Sequence, residues 1–147
     1  MEMNGLALAG LPFPEFRNAD TWAKYAQDVM KKEINRQVYL DGLQTELSSK
    51  TQWVALNRFE TLAANFSKAG KEMSEAYYNK VEQMYDYLAY SLRPDGHQPL
   101  NNDSDRDDLK SRILKAAIKY DRPDWQWIAT NGQRGTLPEG VPSITFP

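Results

Sequence analysis

The 147-residue sequence contains no cysteine and only one histidine, His97. The lack of cysteine excludes disulfide bonds and thiolate chemistry. A single histidine excludes every mechanism that needs a pair of histidines within this chain. The sequence also lacks a Ser/His/Asp order, a glycine-rich phosphate loop and an HExxH motif. Hydrolases and nucleotide-dependent enzymes commonly rely on such patterns, so the sequence gives these classes no support.

The chain also lacks an excess of positive charge and a long apolar run. Its 18 basic and 20 acidic residues leave a net charge of −2, whereas sequence-independent binding of nucleic acid needs a basic face. The apolar run 5–11 (GLALAGL) is too short to span a bilayer and follows no basic segment. We therefore expect neither a nucleic acid nor a membrane as partner. Separately, the length of the chain fits a single domain.

Apolar residues recur at intervals of three and four along most of the chain, a pattern typical of amphipathic helices. The predicted helices run from Met3 to Leu11, from Trp22 to Val38, from Ser49 to Ala69, from Met73 to Leu92, from Leu109 to Tyr120, and from Pro123 onward. The sequence predicts no strand before residue 141. Helices of this length joined by short turns lie antiparallel to their neighbours, so we predict an all-α fold built from antiparallel helical hairpins.

Local signals predict where several of these helices begin and end. Asn18 or Asp20 can cap the second helix, and Gly70 suits the position after the third, where the backbone turns left-handed. Pro123 suits the first turn of the last helix. From residue 131 the chain is rich in glycine and proline and has no period. We therefore predict an irregular tail over 131–147, with a possible strand beginning at 143–147.

The acidic segment 101–108 (NNDSDRDD) resembles a calcium loop at first sight. Counted from Asp103, an EF-hand requires glycine at position 108 and glutamate at position 114. The chain has Asp108 and Leu114 there. We therefore predict no metal site, and expect Ser104 or Asp105 to cap the next helix instead.

The most informative segment is 41–53 (DGLQTELSSKTQW), which connects two predicted helices. It carries a carboxylate on Glu46, amides on Gln44 and Gln52, and the ring of Trp53. Ligands often meet such side chains on connections held by a rigid scaffold. His97 lies in a second polar loop, where it is either solvated or available for proton transfer or for binding an anionic sugar.

Three segments together resemble the heparinase II/III family of polysaccharide lyases, in the carboxy-terminal part of its amino-terminal α/α toroid. Residues 37–48 (QVYLDGLQTELS) are similar to that family's loop between toroid helices. Residues 88–105 (LAYSLRPDGHQPLNNDSD) are similar to its RPDG…NDSD segment and are the most specific of the three. Residues 143–147 (SITFP) resemble the strand that leads into the family's β-sandwich.

The resemblance implies a fold, a reaction and a partner. It implies a partial α/α toroid over 1–130 and a tail or linker over 131–147 that leads towards a β-sandwich. It implies β-elimination on a uronic-acid glycan of the heparan sulfate or alginate type, with no cofactor. The partner would be an acidic polysaccharide, and a full-length lyase of this kind would be periplasmic or secreted. The sequence itself leaves the localisation open.

The resemblance also predicts the site residues. The family's Tyr-His pair corresponds to Thr51 and Gln52 in this chain. Threonine is a poor base at neutral pH, and glutamine cannot transfer a proton, so we expect the chain alone to be inactive. The residues predicted to bind substrate are Gln44, Glu46, Gln52, Trp53 and His97. The alternatives are a non-catalytic domain that binds acidic glycans and a helical interaction domain.

A partial toroid would leave apolar helix faces uncovered. Exposed apolar patches promote association, so we expect the chain to pack against the remainder of a longer chain or against itself. Light scattering on the purified chain measures this directly. A uniformly monomeric species would contradict the expectation.

Overall fold

A computed structural model of the protein describes residues 2–137, and this part of the chain contains six α-helices. They are α1 (Glu2–Gly10), α2 (Ala19–Gln37), α3 (Ser49–Lys68), α4 (Glu75–Tyr90), α5 (Lys110–Lys119) and α6 (Pro123–Ala129). Among these residues the only β-pairing consists of two isolated bridges, Val38 with Gln44 and His97 with Asp108. The predicted all-α fold is confirmed. The strand suggested at 143–147 lies outside the described residues.

Helix α4 lies at the centre of the core. Its residues Tyr77, Val81, Met84 and Leu88 recur at intervals of four and three and are almost fully buried. That spacing places them on one face of the helix, where they contact the apolar faces of α2, α3, α5 and α6. None of the helices described is long and apolar enough to cross a bilayer.

Two predicted helix ends are confirmed in detail. Gly70 follows α3 with φ +68°, and its N–H donates to the carbonyl of Ser67 at 2.9 Å. The N–H of Lys71 donates to Phe66 at 2.9 Å, which completes a Schellman motif. Pro123 occupies the first turn of α6. These ends follow from the local conformational preferences of glycine and proline.

The predicted cap of α5 is wrong, and the predicted cap of α2 is confirmed in position only. Asn18 stands at the cap of α2, but its side chain makes no capping hydrogen bond. Helix α5 begins at Lys110, several residues after Ser104 and Asp105. The carboxylate of Asp108 accepts the Lys110 N–H at 2.9 Å instead. Ser104 and Asp105 contact the beginning of α3, so long-range contacts outweigh the local capping preference.

The side chain of Arg122 joins α6 to α4. Its Nη1 lies 2.8 Å from Glu82 Oε1, and its Nη2 lies 2.5 Å from Asp86 Oδ1. The guanidinium also binds Asp124 through two hydrogen bonds of 2.6 and 2.9 Å. It stacks over the fully buried Trp125 ring at 4.3 Å. Planar stacking and two-pronged pairing are specific to arginine, and here they hold α6 against the core.

The Asp124 carboxylate predicts a pH dependence of stability. Burial alone would raise the pKa of Asp124, but hydrogen bonds from Arg122 and Tyr90 outweigh burial and lower the pKa below its usual value. A lowered folded-state pKa contributes stability above the unfolded pKa of about 3.9, and that stability is lost as pH falls through the folded value.

We therefore expect Asp124→Asn to lower the free energy of unfolding at neutral pH by about 1.5–3 kcal/mol, the range for hydrogen bonds to a charged group. The difference between the two proteins should shrink as pH falls below about 4. Urea unfolding followed by circular dichroism at several pH values measures this difference in the free energy of unfolding. A difference that stays constant over this pH range would contradict the assigned role of Asp124.

Candidate functional site

Two polar loops meet at the beginning of α3: loop 38–48, between α2 and α3, and loop 91–109, between α4 and α5. The Ser48 hydroxyl accepts the Thr51 N–H and donates to the carbonyl of Asp103 at 3.0 Å. The Ser104 hydroxyl accepts the Ser49 N–H at 2.9 Å, and the Ser49 hydroxyl donates to Pro99 at 2.9 Å. The first turn of α3 is therefore bonded directly to loop 91–109.

The same junction holds two residues in the left-handed backbone region, Leu47 (φ 56°) and Asn102 (φ 49°). The Asn102 side chain donates to the Leu47 carbonyl at 2.9 Å. A left-handed conformation costs a residue with a Cβ roughly 1–2 kcal/mol, and such residues often cluster at functional sites. Lys50, in the first turn of α3, also forms an ion pair with Asp105 of loop 91–109. These contacts hold the loops in one arrangement.

Gln52 lies beneath loop 38–48 and is fully buried. Its Oε1 accepts the Gln44 N–H at 2.6 Å, and its Nε2 donates to Gly42 at 2.8 Å and to Met84 at 3.2 Å. The sequence predicted that Gln52 contacts substrate, but its amide is committed to the protein and has no exposed atom in this structure. Gln52 holds loop 38–48 against α4.

Gln44 is buried too, and its Oε1 accepts the Glu46 N–H at 2.8 Å. Its side chain therefore shapes the loop from inside. The Glu46 side chain is exposed. Of the predicted loop residues, Glu46 is thus the one that presents a charged group to solvent.

Helix geometry separates the remaining candidates. Thr51 and Trp53 are two positions apart, or about 200° around the helix axis, so they lie on opposite sides of α3. Gln52 contacts α4, whereas Trp53 is half-buried with the guanidinium of Arg112 from α5 4.3 Å above its ring. The structure therefore places these residues at one end of α3 without forming a single continuous wall.

His97 lies in loop 91–109 and is half-buried. Its Nδ1 is 3.5 Å from Asp95 Oδ1, and this buried nitrogen has no hydrogen bond. Its backbone pairs with Asp108. The acidic side chains of this loop are dispersed, and between residues 2 and 137 no group of three or more His, Asp or Glu side chains could hold a metal ion.

Sequence reasoning missed Asn102 and Arg112 and assigned Ser104 a different task. Ser104 and Asn102 act on residues about 55 positions earlier in the chain. Arg112 is one of several basic residues on α5 and has no sequence signal that distinguishes it. Only the approach of α3 and α5 identifies its contact with Trp53.

The helices α1–α6 form part of an α/α toroid, as in heparinase lyases whose structures share this arrangement. The chain belongs to the family described as Heparinase II/III N-terminus, whose model matches residues 1–127.

The relatives that are similar over most of the chain include two heparin-sulfate lyases. The heparin-sulfate lyase of Bacteroides stercoris is 34% identical over 145 residues, covering 94% of this chain and 22% of that protein. The heparin-sulfate lyase of Pedobacter heparinus is 31% identical over 143 residues, covering 88% of this chain and 21% of that protein. The chain thus spans about a fifth of the length of these relatives.

Solved structures show the same fold. The heparan sulfate lyase of Pedobacter heparinus superposes with a TM-score of 0.77 at 28% identity, covering 95% of this chain and 23% of that one. A structure of heparinase III superposes with a TM-score of 0.79 at 20% identity, covering 95% of this chain and 24% of that one. At that lower identity the likeness concerns the fold alone.

Proposed function

We propose that this chain is the toroid portion of a polysaccharide lyase that acts by β-elimination on acidic glycans of the heparan sulfate type. The observation that carries the proposal is the junction at the beginning of α3. Segments 37–48 and 88–105, which resemble the family in sequence, are joined there by direct hydrogen bonds. The two heparin-sulfate lyases similar to most of this chain support the same class of substrate.

β-Elimination makes a clear demand on such a site. The C5 proton of a uronate becomes acidic only when the neighbouring carboxylate is neutralised, and a positioned base must then remove it. In this chain Thr51 and Gln52 stand where the family resemblance calls for a tyrosine and a histidine. The Thr51 hydroxyl is a weak base, and the Gln52 amide is buried. The two positions that the resemblance assigns to proton transfer therefore carry no group suited to take the proton, which supports the proposal that the chain alone is inactive.

The burial of the Gln52 amide favours a second candidate for the isolated chain, a domain that binds acidic glycans without cleaving them. In both candidates Glu46, Trp53 and His97 provide the contacts with the glycan. Gln44 and Gln52 act indirectly, because their amides hold the loop that carries Glu46.

The experiment is to incubate the chain with heparan sulfate and, in parallel, with alginate. The ultraviolet absorbance of the unsaturated uronide reports cleavage, and titration calorimetry reports binding. We expect binding to heparan sulfate without a rise in absorbance, and weaker binding to alginate. A rise in absorbance would contradict the inactivity of the isolated chain. Absence of binding to both glycans would contradict the proposed function and favour a helical interaction domain.

A further inference from the structure

Two pairs of side chains bridge α3 and α5. In the first pair, the guanidinium of Arg112 lies 4.3 Å above the Trp53 ring. In the second pair, Lys119 forms an ion pair with Glu60. On each helix the two members are seven residues apart, which places them on nearly the same face at a separation of about 10 Å. The two basic side chains therefore lie on the same side of α5, each against a side chain of α3.

The two pairs differ in how the positive charge is compensated. The carboxylate of Glu60 neutralises Lys119 and also accepts hydrogen bonds from Tyr85 at 2.7 Å and Tyr120 at 3.2 Å. The partner of Arg112 is an aromatic ring, which carries no net charge. No ion pair within residues 2–137 joins Arg112 to a carboxylate. The positive charge of the exposed guanidinium is therefore not compensated by a carboxylate within 4 Å among these residues.

Other arginines of the chain are engaged differently. Arg122 is bound by three carboxylates, and Arg93 lies 3.3 Å from Asp95. Arg112 combines an uncompensated charge with a fixed position, because the Trp53 ring beneath it packs against the core. Stacking leaves the N–H groups at the edge of the guanidinium free to point into solvent. A cation held in place beforehand loses less conformational entropy when it binds an anion.

We infer that Arg112, held on the ring of Trp53, binds an anionic group of the glycan, either a uronate carboxylate or a sulfate. Arginine binds such oxyanions through two parallel N–H···O bonds, which are stronger than hydrogen bonds between neutral groups. The inference rests on the proposed function and adds a specific recognition residue to it. Lys50, one helical turn before Trp53, contributes a second positive charge near the same end of α3, although Asp105 partly compensates it.

The test compares Arg112→Met, Arg112→Lys and the control Arg58→Met for binding at low ionic strength. Methionine keeps an apolar side chain over Trp53 and removes the charge, while lysine keeps the charge without the two-pronged geometry. Arg58 is an exposed arginine of α3 about 140° around the helix from Trp53. We expect Arg112→Met to weaken binding to heparan sulfate about ten-fold. The affinity of Arg112→Lys should lie between those of the parent chain and Arg112→Met. Arg58→Met should change the affinity by less than about two-fold.

Hyaluronan, which carries carboxylates and no sulfates, distinguishes the two sources of the anion. A loss of affinity for both glycans assigns a carboxylate to Arg112, and a loss for heparan sulfate alone assigns a sulfate. If the parent chain binds heparan sulfate and Arg112→Met binds equally well, the inference is overturned while the proposed function stands. If the parent chain binds neither glycan, the proposed function fails and this inference fails with it. Circular dichroism of each variant confirms that the compared chains are folded.

Discussion

Replacing Gly42 by alanine is expected to lower the free energy of unfolding by about 3 kcal/mol or more. Gly42 has φ +85°, a conformation that costs a residue with a Cβ about 1–2 kcal/mol. A Cβ there would also lie 1.9 Å from the backbone carbonyl oxygen of Gln83 in α4. Overpacking of this kind costs a further 1–3 kcal/mol or so. Since backbone atoms cannot move aside as a side chain can, the loop must leave α4.

Gly70→Ala is the matched control for this prediction. Gly70 also has a left-handed backbone, with φ +68°, but a Cβ there would meet nothing within 4 Å. We expect a loss of only about 1–2 kcal/mol, the conformational cost alone. Urea unfolding followed by circular dichroism compares the two variants. Equal losses would show that the close approach of Gly42 to α4 does not contribute to stability.

The second large effect is expected for Gln52→Leu, at about 3 kcal/mol. Leucine has a similar size and maintains the packing, but it removes three buried hydrogen bonds. The Gln44 N–H and the Gly42 carbonyl would then be buried without these partners. Each unsatisfied group costs roughly 1–3 kcal/mol. The loop that carries Glu46 should loosen, so affinity for heparan sulfate should fall together with stability.

Gln27→Leu provides the control for the glutamine substitution. Gln27 makes a single exposed hydrogen bond, from Nε2 to the carbonyl of Glu72 at 3.0 Å. Substitutions at such surface positions usually change stability by less than about 0.5 kcal/mol. Denaturant titration of the three proteins, with glycan binding measured in parallel, gives the comparison. A Gln52→Leu chain as stable as its parent would disprove the anchoring role of Gln52.

The helices could be predicted from sequence because their causes are local. The stripe of Tyr77, Val81, Met84 and Leu88 indicates α4 by spacing alone, and Gly70 marks the end of α3 by its conformational freedom. The predicted cap of α5, Ser104 or Asp105, lies too early in the chain. Ser104 has the properties of a helix cap, but it bonds to Ser49 at the beginning of another helix.

The candidate site could be predicted only in part. Residues 41–48 and 91–105 lie in loops between helices, as the sequence predicted, and Glu46 is exposed as a ligand-binding residue must be. The role of Gln52 was not predictable, because a glutamine at the beginning of a helix can face solvent or the interior. The Met84 carbonyl that accepts its hydrogen bond lies 32 residues further along the chain. The role of Arg112 was not predictable either, because its contact with Trp53 joins residues far apart in the chain.

The sequence by itself determined the helical fold, most of the helix ends and the family resemblance. These depend on side-chain spacing and backbone preferences, which act over about four residues. The tertiary structure alone decided which polar groups face a ligand and which hold the loops together. Those roles depend on hydrogen bonds and ring contacts between residues up to about 60 positions apart. Such contacts exist only once α3, α4 and α5 are packed, because packing brings the partners within reach and removes the competing water.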